Sequence, residues 1–448
     1  MKNFLLAVLL KTLLLALPNV SVSQSSSPGN GVPEKAGFSA EGFSRLDRIV
    51  QQYIDSQWIA GASMIIVRDG QIAYHKALGF SDISGKEQLK KDHIFRIASQ
   101  TKAITSTAIM ILLEEGKLLL DDAVSKYIPA FAGVKVLDKF NENDTTYTTK
   151  PLKRNITIRD LLTHTSGIGY AQIGSKTYKA IAAKAGVYGG IGTPHESLAD
   201  QVNRIATIPL EHQPGEKFTY GLNIDVLGYI VELVSKQSLE QFFRRRIFEP
   251  LGMQDTWFYL PADRRKRLVR LHGEDSLGRL SALKKPLGVE GKNIDPDFPN
   301  SDGRFFAGGA GLSSTAYDYA LFMQMILNGG ILNGKRILSP NSVKLMTTNQ
   351  IGSLNNGNNK FGLGFGLVTE KEAARLGLSA GSFEWGGAFS SSYWIDPEKK
   401  IVAQLFINQW PNRHGDIHDK FKVQVYSALM DQSRSTTGGM PIYDTSPY

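Results

Sequence analysis

The chain has 448 residues, of which 42% are hydrophobic and 21% charged, with a formal net charge of +9 and no cysteine. This is the composition of an ordinary globular protein with room for a large core, and it excludes a chain disordered throughout. The missing cysteine excludes disulfides, thiolate metal sites and thiol catalysis.

Met1-Lys2 followed by the apolar run from Phe4 to Leu17 reads as a charged start and an h-region, with Ser21-Val22-Ser23 as a small-residue cleavage site. Residues 1–23 are therefore expected to be a signal peptide that exports the protein to the periplasm or the medium. Lys11 interrupts the run, so an uncleaved interfacial anchor is the alternative. The run is short for a bilayer, and no stable membrane span is expected. Losing Lys2 and Lys11 would leave a charge of +7. The remaining basic runs, Arg244-Arg245-Arg246 and Arg264-Arg265-Lys266-Arg267, read as solvated faces, and no nucleic-acid module accompanies them. Residues 24–36, rich in Ser, Pro and Gly, read as a flexible tether.

Leu46, Ile49, Val50, Tyr53 and Ile54 fall at helical spacing between Phe43 and Ile54. Ala62–Arg68 and Gln71–Ala77 flank Asp69-Gly70 as a β-hairpin. A helix opens near Ser99 and ends at Glu115-Gly116. After it, the stretch from Leu118 is read as helix and loop. Thr157 to Gly167 holds a short helix stopped by Gly167, and residues 170–196 read as a variable loop or lid. Helices are expected over Ile224–Val234 and Leu239–Phe248, then an irregular surface excursion over residues 262–304. Phe361–Val368, Ala388–Ile395 and Ile401–Asn408 read as strands, the last two joined by a hairpin at 396–400, and Asp416–Met430 as a closing helix. Strands at both ends with helices between them imply one sheet assembled from the chain ends and a helical middle, an α/β (α+β) architecture with a cleft between the two parts. The sheet part would comprise residues 37–98 and 335–432, the helical part 99–334, and the tail 433–448.

The stretch that carries chemistry is Ser99-Gln-Thr-Lys102. A serine and a lysine three apart at a helix start share one face, so the amine can reach the hydroxyl and act as its base, while the helix start offers free N–H groups to an oxyanion. Ser-x-x-Lys is a weak pattern and recurs at Ser281 to Lys284, but there Pro286 breaks any helix. Gly377-Leu-Ser379-Ala-Gly381 fits the G-x-S-x-G elbow, yet its flanks lack the strand and helix that the elbow needs. Tyr220, in Pro214-Gly-Glu-Lys-Phe-Thr-Tyr220, could relay protons, and Trp385-Gly386-Gly387 could let backbone approach a ligand. By themselves these are also compatible with a core tyrosine and a turn. His414 and His418 are four apart without a metal-site motif and read as exposed loop histidines, with no metal and no other cofactor expected. Asn143-Asp-Thr145 and Asn155-Ile-Thr157 fit glycosylation sequons.

These blocks together resemble the serine β-lactamase-like family, which includes class C β-lactamases, penicillin-binding D-alanyl-D-alanine peptidases and esterases of the same fold. The resemblance runs over roughly residues 40–430. It rests on Ser99-Gln-Thr-Lys102, Leu161-Leu-Thr-His-Thr-Ser-Gly167, Pro214-Gly215 with Tyr220, Phe248-Glu-Pro-Leu-Gly-Met-Gln-Asp-Thr256, Gly308-Gly-Ala-Gly-Leu-Ser-Ser-Thr315 and Trp385-Gly-Gly387. It implies an antiparallel sheet flanked by helices plus an all-helical domain, and acyl transfer through an acyl-enzyme. Ser99 would be the nucleophile, Lys102 and Tyr220 would share the proton, and the backbone N–H groups of Ser99 and Ala388 would form the oxyanion hole. Trp385, Gly386, Gly387 and Asn223 would contact substrate, and His164 would be structural.

Two departures bear on the substrate. Leu222 stands where class C β-lactamases have the asparagine of Tyr-x-Asn, with Asn223 one residue late. Trp385-Gly-Gly replaces Lys-Thr-Gly, which removes the cation that would pair with a penicillin carboxylate. Both favour small-molecule esters, or amides, over β-lactams. β-Lactamase or D-alanyl-D-alanine peptidase activity at the same serine is the rival reading, and a catalytically idle binding or assembly relative is a third. The oligomeric state is not legible.

Overall fold

The computed structural model describes residues 28–430, apart from 190, 193–195, 284–286, 290 and 291. The expected signal segment and tail lie outside the described residues. The tether reading fails for the part that is described. Gly29–Asn30 (β1) pairs in parallel with Gln71 and Ile72, and Pro33–Ala36 forms a short 3-10 turn closed by Gly37.

The chain ends do assemble one sheet. Its strands are β1, β2 (Gly61–Arg68), β3 (Gln71–Asp82), β4 (Glu87–Gln88), β5 (Lys360–Phe361), β6 (Gly366–Leu367), β7 (Phe383–Gly387), β8 (Ser391–Asp396) and β9 (Ile401–Phe406). They lie in the order β1-β3-β2-β9-β8-β7-β6-β5, with β4 on β3. All pairs but the first are antiparallel. The β2–β3 hairpin turns at Asp69 and Gly70, both at positive φ, as a two-residue turn matching strand twist requires.

Alternation along the strands separates two cores. Ile65 and Val67, Tyr393 and Ile395, and Val402 and Phe406 face the helical part. Met64 and Ile66, Trp394, and Ile401, Ala403 and Leu405 face helix α1 (Ala40–Asp55) and the closing helix Ile417–Ser427. With both faces covered, these strands read as near-continuous apolar runs.

On the first face lies α2 (Thr101–Glu114), which is buried on all sides from Thr101 to Leu112, as a helix without a polar stripe must be. It packs against α3 (Asn223–Ser235). Helix α4 (Ala316–Leu327) packs on β9, and the Gln404 amide donates to the Ala316 carbonyl. The sheet part therefore begins well before residue 335, contrary to the expected boundary.

Several segments differ from expectation for local reasons. Val136–Phe140 and Tyr147–Lys150 form a hairpin whose turn is closed by the carboxylate of Asp144 accepting from Thr146. Residues 170–196 contain a helix, Lys176–Lys184, capped by Ser175. The excursion over 262–304 holds two small ladders, one pairing His272–Glu274 with Leu280–Ala282. Residues 361–368 are two strands, not one. Gly364, at φ 94°, sits where a side chain would strike Ser106 on α2.

Candidate active site

Ser99 lies in a single 3-10 turn, Ala98–Gln100, that leads directly into α2. Ala98 precedes it at φ 43°, a conformation that L side chains rarely adopt. The turn is tied down from several directions. Leu312 N–H donates to Thr101 Oγ1 (3.1 Å), Tyr319 Oη donates to the Gln100 carbonyl (2.9 Å), and Ile97 N–H donates to the Leu312 carbonyl (3.0 Å).

Lys102 is buried, with Nζ 3.2 Å from Ser99 Oγ and 2.7 Å from the Gly309 carbonyl. Gly309 has no room for a Cβ, because Asp225 Oδ2 occupies that position. Its N–H donates to Asp225 Oδ1 at 3.2 Å. Asp225 is itself buried, and burial pushes its carboxyl up to about 6 against the opposing pull of Lys102. Asp225, in the first turn of α3, was missed in the sequence because its neighbours read only as an apolar helix.

Tyr220 precedes α3 and donates its Oη–H to Ser99 Oγ at 2.7 Å. Lys102 Nζ lies 4.7 Å from the centre of the Tyr220 ring. Three aromatic rings hold that phenol: Tyr170 at 5.5 Å, Trp385 at 5.4 Å and His164 at 4.8 Å. Tyr170 was also missed, because it sits in a stretch read as a loop or lid.

His164 plays the structural part expected of it. Its Nδ1 accepts from Gly221 N–H (3.3 Å) and from the Asn223 amide (3.0 Å). Burial, assisted by Lys102, pulls it well below the ordinary histidine range, which keeps the ring neutral and Nδ1 free to accept.

Asn223 does not fit the substrate-binding role given to it. It is fully buried, and its amide is used by Ser166 Oγ, His164 Nδ1 and the Ile168 carbonyl. The side chain braces the loop behind Tyr220 and cannot reach a ligand.

Trp385, Gly386 and Gly387 are part of β7, not a lead-in to a strand beginning at Ala388. Ala388 instead starts an exposed turn, and β8 begins at Ser391. At Gly387 a Cβ would strike the Ile97 carbonyl and Ser391 Oγ, so only glycine lets β7 close against the turn that carries Ser99. Ala98, Leu271 and Phe389 form a small apolar cluster here, joined by half-buried Ile191 and Leu283.

The other candidates separate from this cleft. Gly377 caps a helix, Glu370–Leu376, so no strand leads into Ser379, whose hydroxyl accepts from Lys399 Nζ (3.2 Å). Ser281 sits in a β-ladder, and Lys284 lies outside the described residues. His414 stacks on Trp58 at 4.5 Å, and His418 is half-buried on a helix, so the latter is not an exposed loop histidine. Among the described residues no three His, Cys, Asp or Glu side chains gather into a metal site, and no helix is long and apolar enough to cross a membrane.

The Beta-lactamase family model matches residues 46–426. Esterase EstB of Burkholderia gladioli is 29% identical over 374 residues, which cover 81% of this chain and 90% of that protein. Lovastatin esterase of Penicillium rubens is 30% identical over 385 residues, covering 80% and 91%. The solved structure of EstCE1, a hydrolase with promiscuous acyltransferase activity, superposes with a TM-score of 0.74 at 26% identity, covering 86% of this chain and 98% of that one. The chain belongs to the Beta-lactamase family of serine hydrolases.

Proposed function

We propose that the protein is an exported hydrolase that cleaves carboxylic esters, or amides, of small molecules through an acyl-enzyme on Ser99. One observation carries this reading: a single oxygen, Ser99 Oγ, lies within hydrogen-bond reach of both Lys102 Nζ (3.2 Å) and Tyr220 Oη (2.7 Å). Ser99 Oγ attacks the ester carbonyl while its proton passes to the Lys102–Tyr220 pair. The N–H groups of Ser99 and Ala388 receive the oxyanion. Collapse of the tetrahedral species expels the alcohol, which takes the proton back, and water then attacks the acyl-serine with the same pair as base.

Uncharged substrates suit the surroundings. Trp385 takes the sequence place of the lysine of Lys-Thr-Gly, so this position supplies no cation for a substrate carboxylate. Ala98, the residue before Ser99, belongs to an apolar cluster on which Ile191 and Leu283 pack. Leu222 is buried and offers no amide.

Intact mass after exposure to a nitrophenyl butyrate and to a chromogenic cephalosporin tests the reading. The expected result is turnover of the ester and a butyryl adduct lost in Ser99→Ala. A strong preference for the cephalosporin would establish β-lactamase chemistry at the same serine instead. A folded protein that neither turns over substrate nor reacts with a fluorophosphonate would be a binding relative.

A further inference from the structure

We infer that His418 is a positioning residue for the Ala388 N–H, acting through the hydroxyls of Ser390 and Ser392. The inference rests on the Ser99 acyl-enzyme reading, in which that N–H receives the oxyanion.

The turn from Ala388 to Ser390 joins β7 to β8 and has little packing to hold it. Ala388 is exposed, Ser390 takes φ 60°, and the turn borders a cavity of about 500 Å³ lined in part by Gly386, Trp410 and Asn412. Phe389 alone anchors it to the apolar cluster beside Ala98. What remains is hydrogen bonding. The backbone supplies two bonds, from Gln409 N–H to the Phe389 carbonyl and from Ile407 N–H to the Ser390 carbonyl, both 3.1 Å.

The side-chain bonds converge on one imidazole. His418 Nε2 is 3.1 Å from Ser390 Oγ, and Nδ1 is 2.7 Å from Ser392 Oγ. Asn412 adds a bond to Ser390 Oγ at 2.7 Å. Ser392 pairs in register with Gly386, and Ser390 ends the turn, so the imidazole spans the last rung of the β7–β8 ladder and the turn beyond it. His418 approaches from the closing helix, on the sheet face opposite Ser99. It can therefore fix the turn without touching a substrate bound at Ser99.

Its chemistry matches its two partners. Burial, with Lys422 adding to it, pulls His418 down to about 4. A neutral imidazole has one donor and one acceptor nitrogen, which is what a clasp between two hydroxyls requires. An oxyanion donor must be placed to within a few tenths of an ångström, and its contribution is made in the transition state more than in the ground state. A loosened turn should therefore lower kcat and leave KM in place.

The test uses the full chain with His418→Ala, His418→Gln and Ser392→Ala, read by kcat, KM, thermal midpoint and the Ki of an alkylboronic acid that forms a tetrahedral adduct on serine. The expected result for His418→Ala is a kcat loss of about 10–30-fold with KM within about twofold, and a boronate Ki raised by the same factor. His418→Gln, which keeps a donor and an acceptor, should recover most of it. A folded His418→Ala with unchanged kcat, or a loss confined to KM, overturns the inference. Should His418→Ala fail to fold, Ser392→Ala decides: a severalfold kcat loss matched by the boronate supports the clasp, and unchanged kcat overturns it. Failure of the underlying reading looks different, since the unmodified protein would then neither hydrolyse the ester nor bind the boronate.

Discussion

The Tyr220 hydroxyl donates to Ser99 Oγ at 2.7 Å across 121 residues of chain. The contact exists because the segment before α3 is pinned to the His164 loop, by Thr219 N–H on the His164 carbonyl (2.8 Å) and Leu222 N–H on the Gly169 carbonyl (3.1 Å). Tyr220→Phe removes only the oxygen and keeps the ring packing with Tyr170, Trp385 and His164. Loss of a positioned proton carrier should lower kcat/KM for an ester by about 10²–10⁴-fold while the thermal midpoint stays near that of the parent. Steady-state kinetics alongside a melting curve checks both halves. A fall below tenfold would remove Tyr220 from the proposed mechanism.

Asn223 gives a contrasting outcome. Its amide bonds to Ser166, His164 and Ile168, so Asn223→Ala strands buried polar groups and should cost about 1–3 kcal/mol of stability. For a chain of this length that is a fall in melting temperature of about 1 °C per kcal/mol. The ratio of kcat/KM values between two esters of different acyl group should not change. A selective change in that ratio would return Asn223 to the substrate side of the cleft.

The contrast between these two residues shows what was legible in the sequence. Ser99, Lys102 and Tyr220 could be found because a helix start at Ser99 and a family-like order of short blocks do not depend on side-chain direction. Asn223 could not be placed, because one residue along a helix turns a side chain by about 100° and moves it from cleft to core. Asp225 and Tyr170 escaped notice since nothing local marks a buried carboxylate behind a lysine or a ring behind a phenol; both depend on α2, α3 and the Gly309 loop meeting in space. The large sheet was readable from apolar runs bounded by turn residues, whereas β5 and β6 were merged because the bend at Gly364 interrupts one continuous apolar run.

Leu283 and Ile191 pack on the apolar cluster of Ala98 and Phe389, next to Ser99 in the chain. If the non-reacting part of the substrate lies there, longer acyl chains gain burial at about 0.8 kcal/mol per methylene. Leu283→Ala should then lower kcat/KM for an octanoate ester by about 5–10-fold relative to the acetate ester, with acetate hydrolysis close to the parent rate. Nitrophenyl esters of increasing chain length measure the ratio directly. An equal loss on both esters would mean that the apolar wall supports the fold and does not select substrate.

Asp318 sets a pH dependence of stability that is separate from catalysis. It is buried in the first turn of α4, and its Oδ2 accepts from Asp255 N–H (2.7 Å) and Thr256 Oγ1 (3.0 Å). Burial is the main reason that its carboxyl is pushed up to about 7, from 3.8, with nearby Asp255 adding to it. The folded protein thus holds this proton at pH values where the unfolded chain has lost it. Stability from Asp318 is therefore full below about pH 4 and is lost as pH rises toward 7, by up to about 4 kcal/mol. Asp225, raised to about 6, acts in the same direction over a narrower window. His75, His272 and His418, each pulled down to about 4, act in the opposite direction below about pH 6.5, so the Asp318 effect is read as a difference: relative to the parent, Asp318→Asn, which stays neutral throughout, should gain melting temperature steadily from pH 5 to 7.5. Melting curves of the two proteins across this range decide the matter: parallel slopes would show that Asp318 is ionised in the folded state at pH 5, against the effect of its burial.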